Sequence, residues 1–240
     1  MARRASRRTA GRPARAATET PAPLAGDRDK IIAAFMALLA ETPFEEIGLA
    51  DVAGRAGVSL QQLRGEFSST LAILAAHIKA TDRAVLGEDF SDMAEEPARE
   101  RLFDVVMRRL DVLTPHRRAV RSLLRSARRN PPLALALNAL TARSAQWMLT
   151  AAGMRAAGPR GMVHAQGLAM LYASVLRTWV EDADPGRAPT MAALDRALAR
   201  GQRFAGFLDD LCYIPSRLCR LRPRRRARDD DSEQAAAAPS

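Results

Sequence analysis

The sequence predicts an all-α protein, in which a small three-helix head carrying a helix-turn-helix precedes a larger helical body. Three observations carry that reading. Aromatic residues make up only 5% of the 240 positions while Ala and Leu abound, and Ala and Leu favour helix where aromatic and β-branched residues favour strand. Apolar residues recur at three- and four-residue spacing in successive segments, and no segment reads as a strand. The stretch LADVAGRAGVSLQQLRGEF, residues 49–67, reads as two short helices around a tight turn.

The first helix begins near Asp27, with Ile31, Ile32, Phe35, Leu38 and Leu39 on one stripe, and Pro43 ends it. A second follows Gly48 and places Leu49, Val52, Ala53 and Ala56 on one face. Gly57 breaks it. The third spans Ser59 to about Phe67, and Ser59 with Gln62 fits a capping box, each side chain satisfying the other residue's free backbone N–H. Ser68-Ser69 offers an N-cap for a long fourth helix carrying Leu71, Ile73, Leu74, Ile78, Val85 and Leu86. Beyond the polar stretch GEDFSDMAEEP, further helices are expected over 97–113, 116–129, 132–152, 160–182 and 190–212. Pro115, Pro131-Pro132, Gly158-Pro159 and Asp184-Pro185-Gly186 punctuate them.

Four segments follow from this pass: a basic arm over 1–26 expected to be disordered, the head over 27–75, the body over 76–212, and a disordered charged tail over 213–240. The net charge of +10 points to an anionic partner. That charge is unevenly spread. Residues 1–26 carry six Arg against Glu19, and residues 213–240 seven Arg against four acids. Residues 27–74 have four basic and seven acidic side chains, so the head itself is acidic.

Cys212 and Cys219 are too few for a disulfide framework and match no zinc spacing, so they read as reduced thiols. No apolar run approaches the ~20 residues of a membrane span, and the N-terminus lacks the apolar region of a secretory signal. A cytoplasmic location is expected. There is no phosphate-binding glycine loop, no nucleophile elbow and no metalloprotease motif. The paired acids Glu45-Glu46 and Glu95-Glu96 sit in polar surroundings. The sequence therefore points away from an enzyme and implies no cofactor or metal.

A helix-turn-helix needs a small residue where its helices cross, a left-handed turn, an apolar plug after the turn, and a capped second helix. Ala53, Gly57, Val58 and Ser59 supply these in register. Over roughly residues 28–75, through AAFMALLAETPFEEIGLADVAGRAGVS and the Leu63, Phe67 and Leu74 positions, the chain resembles the TetR family of bacterial transcriptional regulators. The resemblance implies a homodimer that binds a pseudo-palindromic operator in double-stranded DNA and releases it under control of a small apolar effector, acting as a repressor. It implies DNA contacts from Gly48, Ser59, Leu60, Gln61, Gln62, Arg64 and Thr70. Gln61 and Gln62 suit adenine edges. Arg64 stands where the family usually has a phosphate-binding Tyr, Thr70 where it has Lys, and Glu66 where it has an aromatic, His or neutral residue.

In the body, Met107, Leu110, Trp147, Met148, Met170, Tyr172 and Trp179 are candidates to line an effector pocket, with His116, Gln146 and His164 as polar anchors. The last two helices are the family's usual dimer interface, and Leu168, Leu171, Val175, Leu194, Leu198 and Phe207 are candidates to form it here. Three stretches, RRLDVLTPHRRAVRSLL, NPPLALALNAL and LYASVLRTWVEDAD, are similar to a related group, the TetR-fold lipid-binding proteins of ubiquinone biosynthesis. That fainter likeness implies an alternative in which the head is kept for packing and binds no DNA.

Overall fold

Asp27 and Asp29 put negative charge on the first turn of α1 (Asp27–Glu41), where free backbone N–H groups favour it. Its apolar stripe buries Ile31, Phe35 and Leu39 completely. The structure is a computed structural model and describes residues 26–88, 93, 95–154 and 156–202. Every regular element among them is helical.

A 3-10 turn at Phe44–Glu46 leads into α2 (Leu49–Ala56), followed by α3 (Leu60–Glu66) and α4 (Thr70–Leu86). The body holds α5 (Ala98–Leu113), a 3-10 turn at Thr114–His116, α6 (Arg117–Arg129), α7 (Pro131–Ala151) and α8 (Gly158–Glu181). A last helix, α9, is described over 188–202. Expected and observed helix starts differ by two residues at most. The prolines explain the larger differences. Pro131-Pro132 and Gly158-Pro159 form first turns rather than breaks, because proline's fixed φ suits a position whose N–H is unpaired anyway. Asn130 accepts from the Leu133 N–H at 3.1 Å to cap α7.

Two cores result. Val52, Ala53, Leu63 and Phe67 close on the buried face of α1, joined by Ile73 and Leu74 from the start of α4. The second core gathers α5, α7, α8 and α9 around Val105, Leu110, Leu149, Trp179 and Leu194. The two are not separate bodies. α4 runs unbroken from one to the other, and Ala119 of α6 is buried within the head cluster. α6 is tied to the head by two further bonds: Ser126 Oγ accepts from the Phe44 N–H at 3.1 Å, and Ser122 Oγ donates to the Thr42 carbonyl at 3.4 Å. At its other end, Arg117 donates to the Trp179 and Asp182 carbonyls and Arg121 to that of Val180, satisfying groups that the end of α8 leaves free.

The dimer candidates lie elsewhere than expected. Leu168, Val175, Leu194 and Leu198 are buried in the protomer's own core and Leu171 packs against it, while Phe207 lies outside the described residues. The large apolar side chains of α8 that stay exposed are Met162, Val163 and Met170. Spacing shows that a helix has an apolar face, but a helix packed on two sides has two such faces. No helix among the described residues is long and apolar enough to cross a membrane.

Candidate functional site

The turn between α2 and α3 is built by Gly57, whose φ of 67° and ψ of 32° lie in the left-handed region that a side chain would strain. The Val58 N–H returns to the Ala53 carbonyl at 3.1 Å, closing the end of α2. Ser59 and Gln62 form the capping box: the Gln62 N–H donates to Ser59 Oγ at 3.1 Å and the Ser59 N–H to Gln62 Oε1 at 2.8 Å. Leu63 and Phe67 anchor α3 to the core, which turns the opposite face outward. Gln61 and Arg64 lie exposed on that face, and neither has a side-chain partner among the described residues. Leu60 is 57% exposed at the start of the helix. Gly48 and Thr70 begin α2 and α4 at either side, with Asp51 accepting from the Gly48 N–H at 2.9 Å.

Two ionic ties brace this head. Arg55 meets Glu41 in a forked pair at 2.7 and 3.2 Å, and the guanidinium holds the Glu41 carboxyl below the usual carboxylate range. Arg28 reaches Glu66 at 3.2 Å and lies over the Phe67 ring at 4.6 Å. Glu66 is therefore partnered by a cation from the first turn of α1.

The body encloses a cavity of about 420 Å³ bounded by α1, α4, α5, α6, α7 and α8. Apolar walls dominate it, from Leu113, Val120, Leu123, Leu124, Leu137 and Leu176. Ala127, Ala134, Ala169 and Ala173 leave the space that larger side chains would fill. Met36 of α1 forms part of the wall, so the cavity touches the head directly. On the buried side stand His77 and Tyr172, with Arg109 behind them.

Arg109, only 4% exposed, pairs with Asp82 and donates from Nε to the Tyr172 hydroxyl at 3.2 Å. Ser144 Oγ donates to the same Asp82 oxygen at 2.5 Å. His77 packs edge-on against His116 with ring centroids 4.7 Å apart. Burial, then the neighbouring His116 and Arg109, push the His77 ring down to about 4, so it is neutral at physiological pH.

Compared by sequence, the chain matches no protein-family model and no curated protein. Compared by structure, it is similar to a TetR transcriptional regulator from Nitrosomonas europaea at 24% identity and a TM-score of 0.58, covering 74% of this chain and 99% of that one. A TetR transcriptional regulator from Rhodococcus sp. RHA1 matches at 19% identity and a TM-score of 0.53, covering 73% and 95%. The fold is that of the TetR regulators.

Set on that TetR fold, the sequence candidates separate into two groups. Ser59, Leu60, Gln61 and Arg64 share one outward surface at the start and side of α3. Gln62 does not join them as a free reader. Its oxygen is held by the cap, and its Nε2 donates to Asp27 at 3.1 Å, so both ends of the amide are engaged.

Of the pocket candidates, Met170 and Tyr172 line the TetR-fold cavity and the other eight do not. Leu110 and Met148 are core residues and Met107 packs against them. Trp147 is 54% exposed, and His164 sits half-buried on α8. His116 backs His77 from outside the lining. The reason is physical: large apolar side chains fill space, and a void forms where small ones face each other. The run of alanines on α6, α7 and α8 was the available signal. His77 was missed because a histidine in an apolar stripe gives no sign of which neighbours leave its nitrogen unpaired.

Proposed function

We propose that this protein is a dimeric, sequence-specific DNA-binding transcriptional regulator whose operator affinity is set by a small apolar ligand. The observation that carries it is the outward face of α3, where Gln61 and Arg64 stand exposed and, among the described residues, uncommitted on a capped helix packed from behind. A helix so mounted can enter a major groove, with Gln61 meeting base edges and Arg64 a phosphate. Exposed Leu60 suits the methyl group of thymine. The Arg28–Glu66 pair supports the reading, since it offsets the charge that would repel the backbone. Asp27 and Arg28 both bond to α3, which fixes the start of α1 beside that helix.

Dimerisation is supported by the exposed apolar side chains Met162, Val163 and Met170 along α8, suited to a second copy of the same face. Regulation rests on the cavity. Its walls include Met36 of the head and one flank of α6, whose other flank carries Ser122 and Ser126 against the head. A ligand that fits one arrangement of these helices better than another shifts the separation of the two reading heads. The heads must match successive major grooves about 34–36 Å apart. Repression is the simplest outcome of such occupancy.

The test is footprinting of purified protein on DNA upstream of its own gene, with random competitor present. Two half-sites one helical turn apart, or a multiple of that, are expected. Arg64→Ala should weaken binding similarly across sequences and lower the salt slope by about 1. An unaltered slope removes Arg64 from the contact surface. Failure to protect any site would favour the lipid-binding alternative, in which the head serves packing alone.

A further inference from the structure

Resting on the ligand-controlled reading above, we propose that the cavity takes a medium-chain carboxylic acid with a neutral oxygen near its far end. Arg128 and Arg177 would hold the carboxylate at the mouth, and His77 the oxygen inside. The orientation follows from exposure. Arg128 and Arg177 are the exposed cations of the lining, and neither has a partner among the described residues. His77 and Tyr172 are 8% and 3% exposed and mark the inner end.

Between the two ends lie Leu123, Leu124, Leu137 and Leu176, which offer hydrocarbon and no hydrogen bonds. A body of methylene groups is what such walls accept. A volume of about 420 Å³, at about 30 Å³ for each water-sized unit, admits roughly a dozen non-hydrogen atoms.

The inner oxygen answers a specific vacancy in bonding. His77 Nε2 is buried and makes no hydrogen bond among the described residues. Buried polar nitrogens are almost always paired, and one that is not lowers stability until a partner arrives. A hydroxyl or carbonyl oxygen on the ligand supplies that partner. Tyr172 Oη accepts from Arg109 at 3.2 Å and keeps its own proton to donate. The ring of His77 is neutral, so the inner end offers no free cation, and Arg109 is neutralised by Asp82. A second carboxylate would be buried there without a counter-ion. The charges therefore select a monoanion with its head outward.

The experiment is calorimetric titration of the full chain with decanoate, ω-hydroxydecanoate and decanol. Both carboxylates should bind roughly tenfold or more tightly than decanol, as a charge-assisted bond is worth about that factor. The hydroxy acid should exceed decanoate by several-fold. The double variant Arg128→Gln, Arg177→Gln should bring the carboxylates down to the level of the alcohol, and its surface positions leave the core intact. His77→Leu should abolish the advantage of the hydroxy acid while leaving decanoate unaffected. Equal affinity for decanol, an unaffected double variant, or no binding of any of the three overturns the proposal. Footprinting of the same preparation without ligand decides the DNA-binding reading independently, so the two can fail separately.

Discussion

The head and the body of this chain hide their interiors in opposite ways. Behind α3 the core is made of Ile31, Phe35, Leu39, Val52, Leu63 and Phe67, all 4% exposed or less, and its ionic ties lie on the surface. The body buries an arginine, a tyrosine and a histidine together beside a cavity, with a half-buried aspartate paired to the arginine. A reading surface must hold its side chains in register, and dry close packing supplies that rigidity. A ligand sensor of the kind proposed above would need room for its ligand, and buried polar groups would keep the walls in one arrangement. Rigidity and vacancy are thus allotted to different halves of one chain.

The contrast can be broken at the Arg109–Asp82 pair. Asp82→Ala should lower unfolding stability by about 3–5 kcal/mol, because it leaves Arg109 buried and unpaired. Adding Arg109→Met should restore most of the loss in a denaturant titration. Persistence of the full loss in the double variant would show that geometry, not stranded charge, was responsible.

A second test uses pH. The folded His77 titrates near 4 against an ordinary 6.5, so within that window the unfolded chain binds a proton that the folded protein refuses. Stability should fall as pH drops from 6.5 to 4, by roughly 3 kcal/mol at most, and be complete above 6.5. His77→Leu should flatten this acid limb. A limb unchanged in the variant would assign the acid sensitivity to other groups.

The gentlest comparison adds volume to each interior. Ala53→Leu forces bulk into the helix crossing and should cost about 1–3 kcal/mol. Ala173→Leu projects into the cavity and should cost less than about 1 kcal/mol, since space is already there. Equal costs at the two sites would mean that the cavity collapses in solution.

The same division governs what could be read from the residues alone. In the head, function is tied to backbone geometry, and backbone geometry constrains residue type. Gly57 is needed for its left-handed turn, Ala53 for its crossing and Ser59 for its cap, so spacing alone locates α3. Even there, long-range partners were hidden: Arg28 meets Glu66 across 38 positions, and Asp27 takes up the amide of Gln62. In the body, periodicity marks which faces are apolar but not which of them meet. Met107, Leu110 and Met148 have the composition of a pocket and fill the core instead. The void is a property of alanines on three helices, visible only once those helices are packed.

Helix α6 joins the two halves, and its fastenings have a mechanical consequence. Arginines at its start grip the end of α8, serines further along grip the turn after α1, and Leu123, Leu124 and Ala127 on its other flank border the cavity. A rod pinned near both ends and pressed from the side pivots about its firmer anchor. The grip on α8, with three carbonyls engaged, is the stronger of the two. On the reading proposed above, swelling of the cavity would swing the far end of α6 and carry the head with it, with the stripe of Met162, Val163 and Met170 on α8 as the fixed bearing.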